Sequence, residues 1–340
     1  MRISASRTKD IILVDKRGRS IELKSKVMRK TMKGVDQRKN LSPNSAVIVC
    51  NYGFNSKVQH YSTRVKAICH PFRKTDKFPK NTPTYLLSES DFCDKRWICA
   101  DDLSIGKKYD ITYFTLDSRQ GSKCKGFSCI PMLTDLSKEL GIRVRVIDYS
   151  PPKYGREEGR RKSYAKDHPD KSLWKVRDVL KKCREQIRYE SGSFTESQLN
   201  RMVQESRISF FPNTLDASPR MIPESLIRGV PVIVNKNIWG GWKYVNEQNG
   251  CFFRFPQTYD EYLGKQKDYK QSAKKAITSM LEKDLNPLDI KSNYYKDYGM
   301  INASKALAKV FNDIHGVGKR FEYAFYKEFG PHMSKVIDYS

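Results

Sequence analysis

Short apolar runs recur along the chain, each closed by turn-forming residues, and helix-length amphipathic segments separate several of them. SAVIVCNY (45–52), YDITYFTL (109–116), IRVRVIDY (142–149), Ile208–Phe211 and Val230–Val234 read as buried strands. Runs of that kind, bounded by Gly, Pro, Asn or Asp, suit a sheet covered on both faces. Between the second and third lies SCIPMLTDLSKELG, with Ile130, Leu133, Leu136 and Leu140 at helical spacing and Gly141 as the stop. Thr195 and Gln198 have the spacing of a capping box and predict a helix through Val203. Strand, helix and strand in succession make a parallel βαβ unit. A second such unit runs from Ser206 to Phe253: strand, polar turn, helix, strand, Gly-Gly turn and a last short strand.

The flanking chain is less regular. IILVDKRGRSIEL, broken at Arg17-Gly18, reads as a small hairpin inside a basic arm. HYSTRVKAICHPF and TPTYLLSESDF supply another strand or two and a helix. Pro151–Lys171 is a charged loop, and Leu173–Arg188 reads as a basic amphipathic helix. Beyond Pro256 the pattern is mainly helical, over Tyr259–Lys283 and Ile301–Ile314, and an aromatic tail from Phe321 is suited to pack back on the first domain.

Charge changes the picture more than composition does. With 64 Lys and Arg against 38 Asp and Glu, the net charge is +26, a field that attracts nucleic acid, anionic membrane surfaces or phosphorylated small molecules. Zinc, helix-turn-helix and RNP-like patterns are missing, but a basic nucleic-acid-binding protein remains one reading. The eight cysteines form no CxxC pair, which predicts reduced thiols and a cytoplasmic setting. The sequence has no 18-residue apolar stretch, so a membrane span is not expected.

Candidate chemistry collects in two loops. Arg119, Lys123 and Lys125 follow the YDITYFTL strand, where cations beside loop amides and a helix start hold phosphate; the spacing is not that of a P-loop. Asp216 and Glu224 lie eight residues apart around a helix start near Pro219, close to Ser218, Arg220 and Met221. A carboxylate there accepts hydrogen bonds from sugar hydroxyls, or serves only as a turn or helix-start residue. Gly240-Gly241 permits a close backbone approach to a ligand. His60 and His70 are each a candidate general base or an ordinary packing residue.

DASPRMIPE followed by SLIRGVPVIVNKNIWGG and Gly250, with YFTLDSRQGSKCKGF upstream, resembles the donor half of GT-B glycosyltransferases. The likeness is nearest to the retaining "glycosyl transferases group 1" (GT4-like) family, which carries an E-x7-E acid pair. Here Asp216 stands for the first Glu, and Tyr244 stands near the acid that usually follows Gly-Gly. The resemblance implies an α/β, GT-B-like fold: a Rossmann-type parallel-sheet donor domain with a reduced N-terminal α/β domain. The implied organisation is a basic segment (1–43), the reduced domain (44–105), a nucleotide-sugar-binding domain (106–256) and a helical region (257–340) packing partly back on the N-terminal domain.

It further implies that Arg119 and Lys125 neutralise the donor diphosphate, Asp216 contacts the transferred sugar and Glu224 holds the ribose. Ser218, Arg220, Met221, Gly240 and Gly241 would line the donor, and His70 is the acceptor-side candidate. The donor would be a UDP- or GDP-sugar, transferred with retention and without a metal or other cofactor. The acceptor would be a glycan, protein or lipid. Association with an anionic surface, and a partner protein completing the acceptor side, are further expectations. A catalytically weakened GT-B-like binding or structural protein is the alternative within the same fold.

Overall fold

Val, Ile, Phe and Tyr on both sides of the pleat leave 111–115, 144–148, 208–211 and 232–234 buried, and in the computed structural model the strands assemble into parallel sheets. The structure describes residues 11–14, 46–50, 65–73, 78, 80–93, 105–115, 126, 129–149, 183, 186–216, 219–256 and 259–315. The chain divides into two units, Met1–Phe92 with Tyr298–Ser340, and Cys93–Asp297.

The first unit holds a four-stranded parallel sheet in the order β1-β2-β3-β4: Ile11–Val14, Ala46–Cys50, Val65–Cys69 and Thr84–Tyr85. Ile11–Val14 pairs in parallel with Ala46–Cys50; the return strand expected beyond Arg17-Gly18 lies outside the described residues. A 3₁₀ turn at Glu89–Phe92 follows β4, capped by Ser88 N–H donating to Asp91 Oδ2 at 2.7 Å.

The second unit holds a six-stranded, wholly parallel sheet. In chain order it contains β5 (Tyr109–Thr115), α1 (Ile130–Leu140), β6 (Val144–Tyr149), β7 (Arg188–Gly192), α2 (Glu196–Gln204) and β8 (Ser206–Phe211). Then come α3 (Met221–Leu226), β9 (Val232–Asn235), β10 (Gly250–Phe253), α4 (Tyr259–Gly264), α5 (Gln266–Glu282) and α6 (Pro287–Asp297). Helix α7 (Met300–His315) belongs to the first unit, where it packs on β3 and the 3₁₀ turn, and Asp313 accepts from the Tyr85 hydroxyl at 2.8 Å.

Both helix signals in the sequence act as expected. Thr195 accepts from Gln198 N–H while Gln198 accepts from Thr195 N–H, and Gly141 ends α1 in the left-handed region at φ 64°. Arg188, expected to end a helix, instead opens the edge strand β7, whose register on β6 pairs Arg188 with Arg145. One face of the larger sheet packs Ile111, Tyr113, Val146, Ile208 and Phe210 against Leu133 and Leu136 of α1 and Ile277 and Met280 of α5. Phe114 and Ile147 on the opposite face meet Val203 of α2 and, at its edge, Met221 of α3. The sheet is therefore wound on both sides. Cys69, Cys93, Cys129, Cys183 and Cys251 are free thiols, and among the described residues no helix is long and apolar enough to cross a membrane.

The N-terminal edge of this sheet is fastened by a buried ion pair. Arg145 Nη1 lies 2.9 Å from Glu205 Oε2, with side chains 3% and 8% exposed. The guanidinium also donates to the Met202 carbonyl and stacks 4.2 Å from the Tyr109 ring. Lys108 and Arg201 reach the other Glu205 oxygen at 2.8 and 3.2 Å. Burial pushes the Glu205 carboxyl up, but hydrogen bonds from Lys108 and Arg145 and their charges outweigh it and hold it below its ordinary value.

Removing one member of a buried pair strands the other, so Glu205→Ala is expected to lower stability by about 3–5 kcal/mol at neutral pH in urea unfolding. Because the folded pKa is depressed, the carboxylate's contribution is complete above the ordinary carboxyl range and is lost as pH falls through the folded value. The stability gap between the intact chain and Glu205→Gln should therefore narrow on acidification; a constant gap down to acid pH would contradict it.

Candidate functional site

Strand order locates the site before any side chain does. From β5 the chain passes through α1 to β6 on one side, while β8 passes through α3 to β9 on the other. The loops leaving β5 and β8 thus diverge at their C-terminal ends and open the crevice in which parallel α/β sheets bind ligands. Gly126, in the β5–α1 connection, sits at φ 70°, and a Cβ there would lie 2.6 Å from the Pro212 carbonyl oxygen. The two loops are in contact at that point.

The turn after β8 is held by hydrogen bonds on nearly every side. Asn235, fully buried at the end of β9, donates through Nδ2 to Pro212 O at 3.2 Å and Phe255 O at 3.0 Å. Its Oδ1 accepts from Asn237 N at 3.1 Å and Phe255 N at 3.2 Å. Both donors and both lone pairs of the amide are used, so this one side chain ties together the chain leaving β8, β9 and β10. Farther along the turn, Trp239 N donates to Thr214 O and Gly240 N to Asp216 O, both at 2.9 Å. Asn213 Nδ2 donates to Asp216 Oδ2 at 2.8 Å.

Helix α3 follows directly. Its amides at Ile222 and Glu224 bond back to Pro219 and Arg220 carbonyls, and Arg220 Nη2 lies 3.4 Å from Glu224 Oε1. Ser225 on its inner face donates to Ser209 of β8 at 3.0 Å. Gly241 has φ 78°, and a Cβ there would come 2.4 Å from Pro219 Cγ. That close approach is to the start of α3 itself. Trp239, just before the glycine pair, is 43% exposed.

Of the residues singled out by sequence, Asp216, Arg220, Met221, Glu224, Gly240 and Gly241 gather on the β8–α3 turn and the β9–β10 loop bonded to it. Met221 packs its side chain on the Phe114–Val203 cluster. Arg119, Lys125 and Ser218 lie outside the described residues. His70 belongs to the other unit, at the C-terminal end of β3. It is buried, its Nδ1 accepts from Phe72 N at 3.2 Å, and Phe78 meets its ring edge-on at 5.1 Å. With Nδ1 accepting, the neutral ring carries its proton on Nε2. Asn213, Asn235 and Trp239 escaped the sequence reading; the one available signal was a polar residue closing each buried apolar strand. Among the described residues, no group of His, Cys, Asp and Glu is arranged to hold a metal ion.

No protein-family model matches the sequence, and no curated protein matches it. Solved structures do match. Sucrose-phosphate synthase from Thermosynechococcus elongatus aligns with TM-score 0.56 and 11% identity over 90% of this chain and 74% of its own. The pneumococcal O-GlcNAc transferase GtfA, in complex with UDP and GlcNAc, aligns with TM-score 0.52 and 12% identity over 80% of this chain and 53% of its own. Anabaena HepE, in complex with UDP and glucose, aligns with TM-score 0.53 and 10% identity over 84% of this chain and 74% of its own. At such identities the likeness is one of fold. The architecture is GT-B, with a parallel Rossmann-type sheet and a smaller second sheet.

Two substitutions measure how closely the loops meet. Gly126→Ala and Gly141→Ala both place a side chain in the left-handed region, at a penalty of about 1–2 kcal/mol. Gly141 has nothing within 4 Å of the added atom, whereas Gly126 meets the Pro212 backbone. Urea unfolding should therefore show a clearly larger loss for Gly126→Ala; equal losses would mean the loops do not touch. Asn235→Ala, which strips Pro212 and Phe255 of their partners, is expected to lose roughly 3 kcal/mol in the same assay.

Proposed function

We propose that this chain transfers a sugar from a nucleoside diphosphate sugar to an acceptor, with retention and without a metal. The observation that carries the reading is the placement of Asp216 and Glu224 on the turn and first helix after β8, at the switch point of a GT-B sheet. The ligands named with the similar structures, UDP with glucose or GlcNAc, suggest the same class of donor here.

In this mechanism Glu224 accepts from the ribose hydroxyls. Arg220 lies 3.4 Å from that carboxylate, and a carboxylate, with acceptors only, suits the paired donors of a ribose diol. Asp216 faces the transferred sugar, with its backbone fixed by Gly240. The diphosphate gains negative charge as the glycosidic bond breaks, so fixed cations there lower the barrier more than they tighten the ground state. Arg119 and Lys125 are assigned that role, on the loop whose Gly126 rests against Pro212. Met221, Ser218, Gly240 and Gly241 would line the donor. His70 would serve the acceptor, and a partner protein would complete that side.

The acceptor is a glycan, protein or lipid, and the +26 charge favours an anionic one or an anionic surface beside it. A second reading has one observation in its favour. Asp216 is a methylene shorter than the usual glutamate, and one of its oxygens is already engaged by Asn213, which suits a donor-binding protein that does not turn over.

Thermal shift with a panel of UDP- and GDP-sugars tests the assignment. The intact chain is expected to be stabilised by one of them, and Glu224→Ala to bind it about 10- to 100-fold more weakly, the loss of a charged hydrogen-bonding partner. An equal response in the variant would remove Glu224 from the site, and no response to any donor would sink the proposal. Donor turnover, where found, should persist in excess chelator. Binding without turnover would favour the second reading.

A further inference from the structure

Helix α3 has only six residues, too few to hold itself in place, so its position is set by what its ends are tied to. At its C-terminal end stands Arg228, 3% exposed. Past Leu226 the backbone tightens, with Arg228 N donating to Ser225 O and Gly229 N to Leu226 O, both at 3.0 Å. The Glu224 carbonyl is met instead by the Arg228 guanidinium, whose Nη1 donates to it while Nη2 donates to Asn200 Oδ1 on α2. One planar group thus joins the main chain of Glu224 to the neighbouring helix.

The surroundings leave that group little latitude. Gly229, at φ 68°, turns the chain against the start of α6, where an added Cβ would come 2.5 Å from Pro287 Cβ. Lys291 of α6 carries an ammonium that burial, and then the charge on Arg228, hold below its ordinary range. A buried cation near a second one is a costly way to fill space, and an apolar side chain of that volume would serve stability as well. What the guanidinium adds is a rigid fork of donors that sets where the Glu224 backbone stands.

The geometry points to Arg228 as a positioning residue for Glu224, which it serves by holding the carbonyl of the acid's own residue against α2. This inference rests on the nucleotide-sugar reading of the site, in which the Glu224 carboxylate takes the ribose. Hydrogen bonds hold over a narrow range of distance, so a carboxylate whose backbone is loosened binds the nucleotide less well.

Calorimetric titration with UDP and with GDP tests it through a double-mutant cycle on Arg228 and Glu224. Arg228→Met, similar in length but without donors, should weaken the nucleotide that binds the intact chain about tenfold, the worth of one hydrogen bond. In a Glu224→Ala background the same substitution should change affinity by less than about twofold, because the group it positions is gone. Gly141→Ala, which weakens the fold at the end of α1, should leave affinity unchanged. No weakening by Arg228→Met, an equal loss in both backgrounds, or a matching loss in Gly141→Ala would show a residue that serves the fold alone and overturn the inference. Should Arg228→Met fail to fold, Asn200→Ala unties the guanidinium from α2 while sparing its bond to the Glu224 carbonyl, and the same cycle applies. If the intact chain binds neither nucleotide, or Glu224→Ala binds as tightly as the intact chain, the reading of the site fails and takes this inference with it. A weakened Glu224→Ala beside an indifferent Arg228→Met fails this inference alone.

Discussion

The side-chain amide of Asn235 has four hydrogen-bonding positions, and the protein fills all of them from three different segments. Few side chains constrain so much backbone at once. By fixing Pro212 it sets where the turn after β8 begins, and Pro212 is also the surface against which Gly126 lies. The chains leaving β5, β8, β9 and β10 therefore share one joint. Satisfied polar groups of this kind in a low-dielectric interior are stiff, because any rearrangement leaves several of them without partners.

The opposite edge of the same sheet is fastened by different physics. Arg145 and Glu205 form a buried ion pair that draws Tyr109, Met202, Lys108 and Arg201 around it. Such a pair adds little net stability over an apolar contact of equal volume, yet it tolerates no change of register, since a slip would bury two charges apart. It joins β6 to the junction of α2 and β8. The two strands that flank the central β5 are thus fixed at one end by charge, while at the other end neutral amides hold the loops.

Much of this was legible in the residues. Alternating and continuous apolar runs marked most strands of the larger sheet, and Thr195, Gln198 and Gly141 marked their helix ends through local chemistry that needs no tertiary context. The edge strand Arg188–Gly192 was not legible. Its sequence RYESG has no apolar pattern, and it exists because β6 offers it a register and Asp148 accepts from the Tyr189 hydroxyl at 2.9 Å. Asp216 and Glu224 were singled out by the spacing of two acids around a helix start, and they lie on the turn and helix after β8. Asn213 and Asn235 were passed over, because an asparagine after a strand reads as turn punctuation until its partners, up to 23 residues away, are known. The touching of Gly126 and Pro212 is likewise a property of the assembled sheet order, which the order of elements along the chain does not encode.

The glycine pair Gly240-Gly241 is bracketed by Trp239 and Trp242, two of the four tryptophans in the chain. Trp239 is 43% exposed and is bound through its backbone to the same turn as Asp216. Indole fluorescence follows the polarity of its surroundings, so water leaving this turn would change the colour of the protein's own emission. The chain thus carries an optical reporter beside its crevice, without a label and without a substitution.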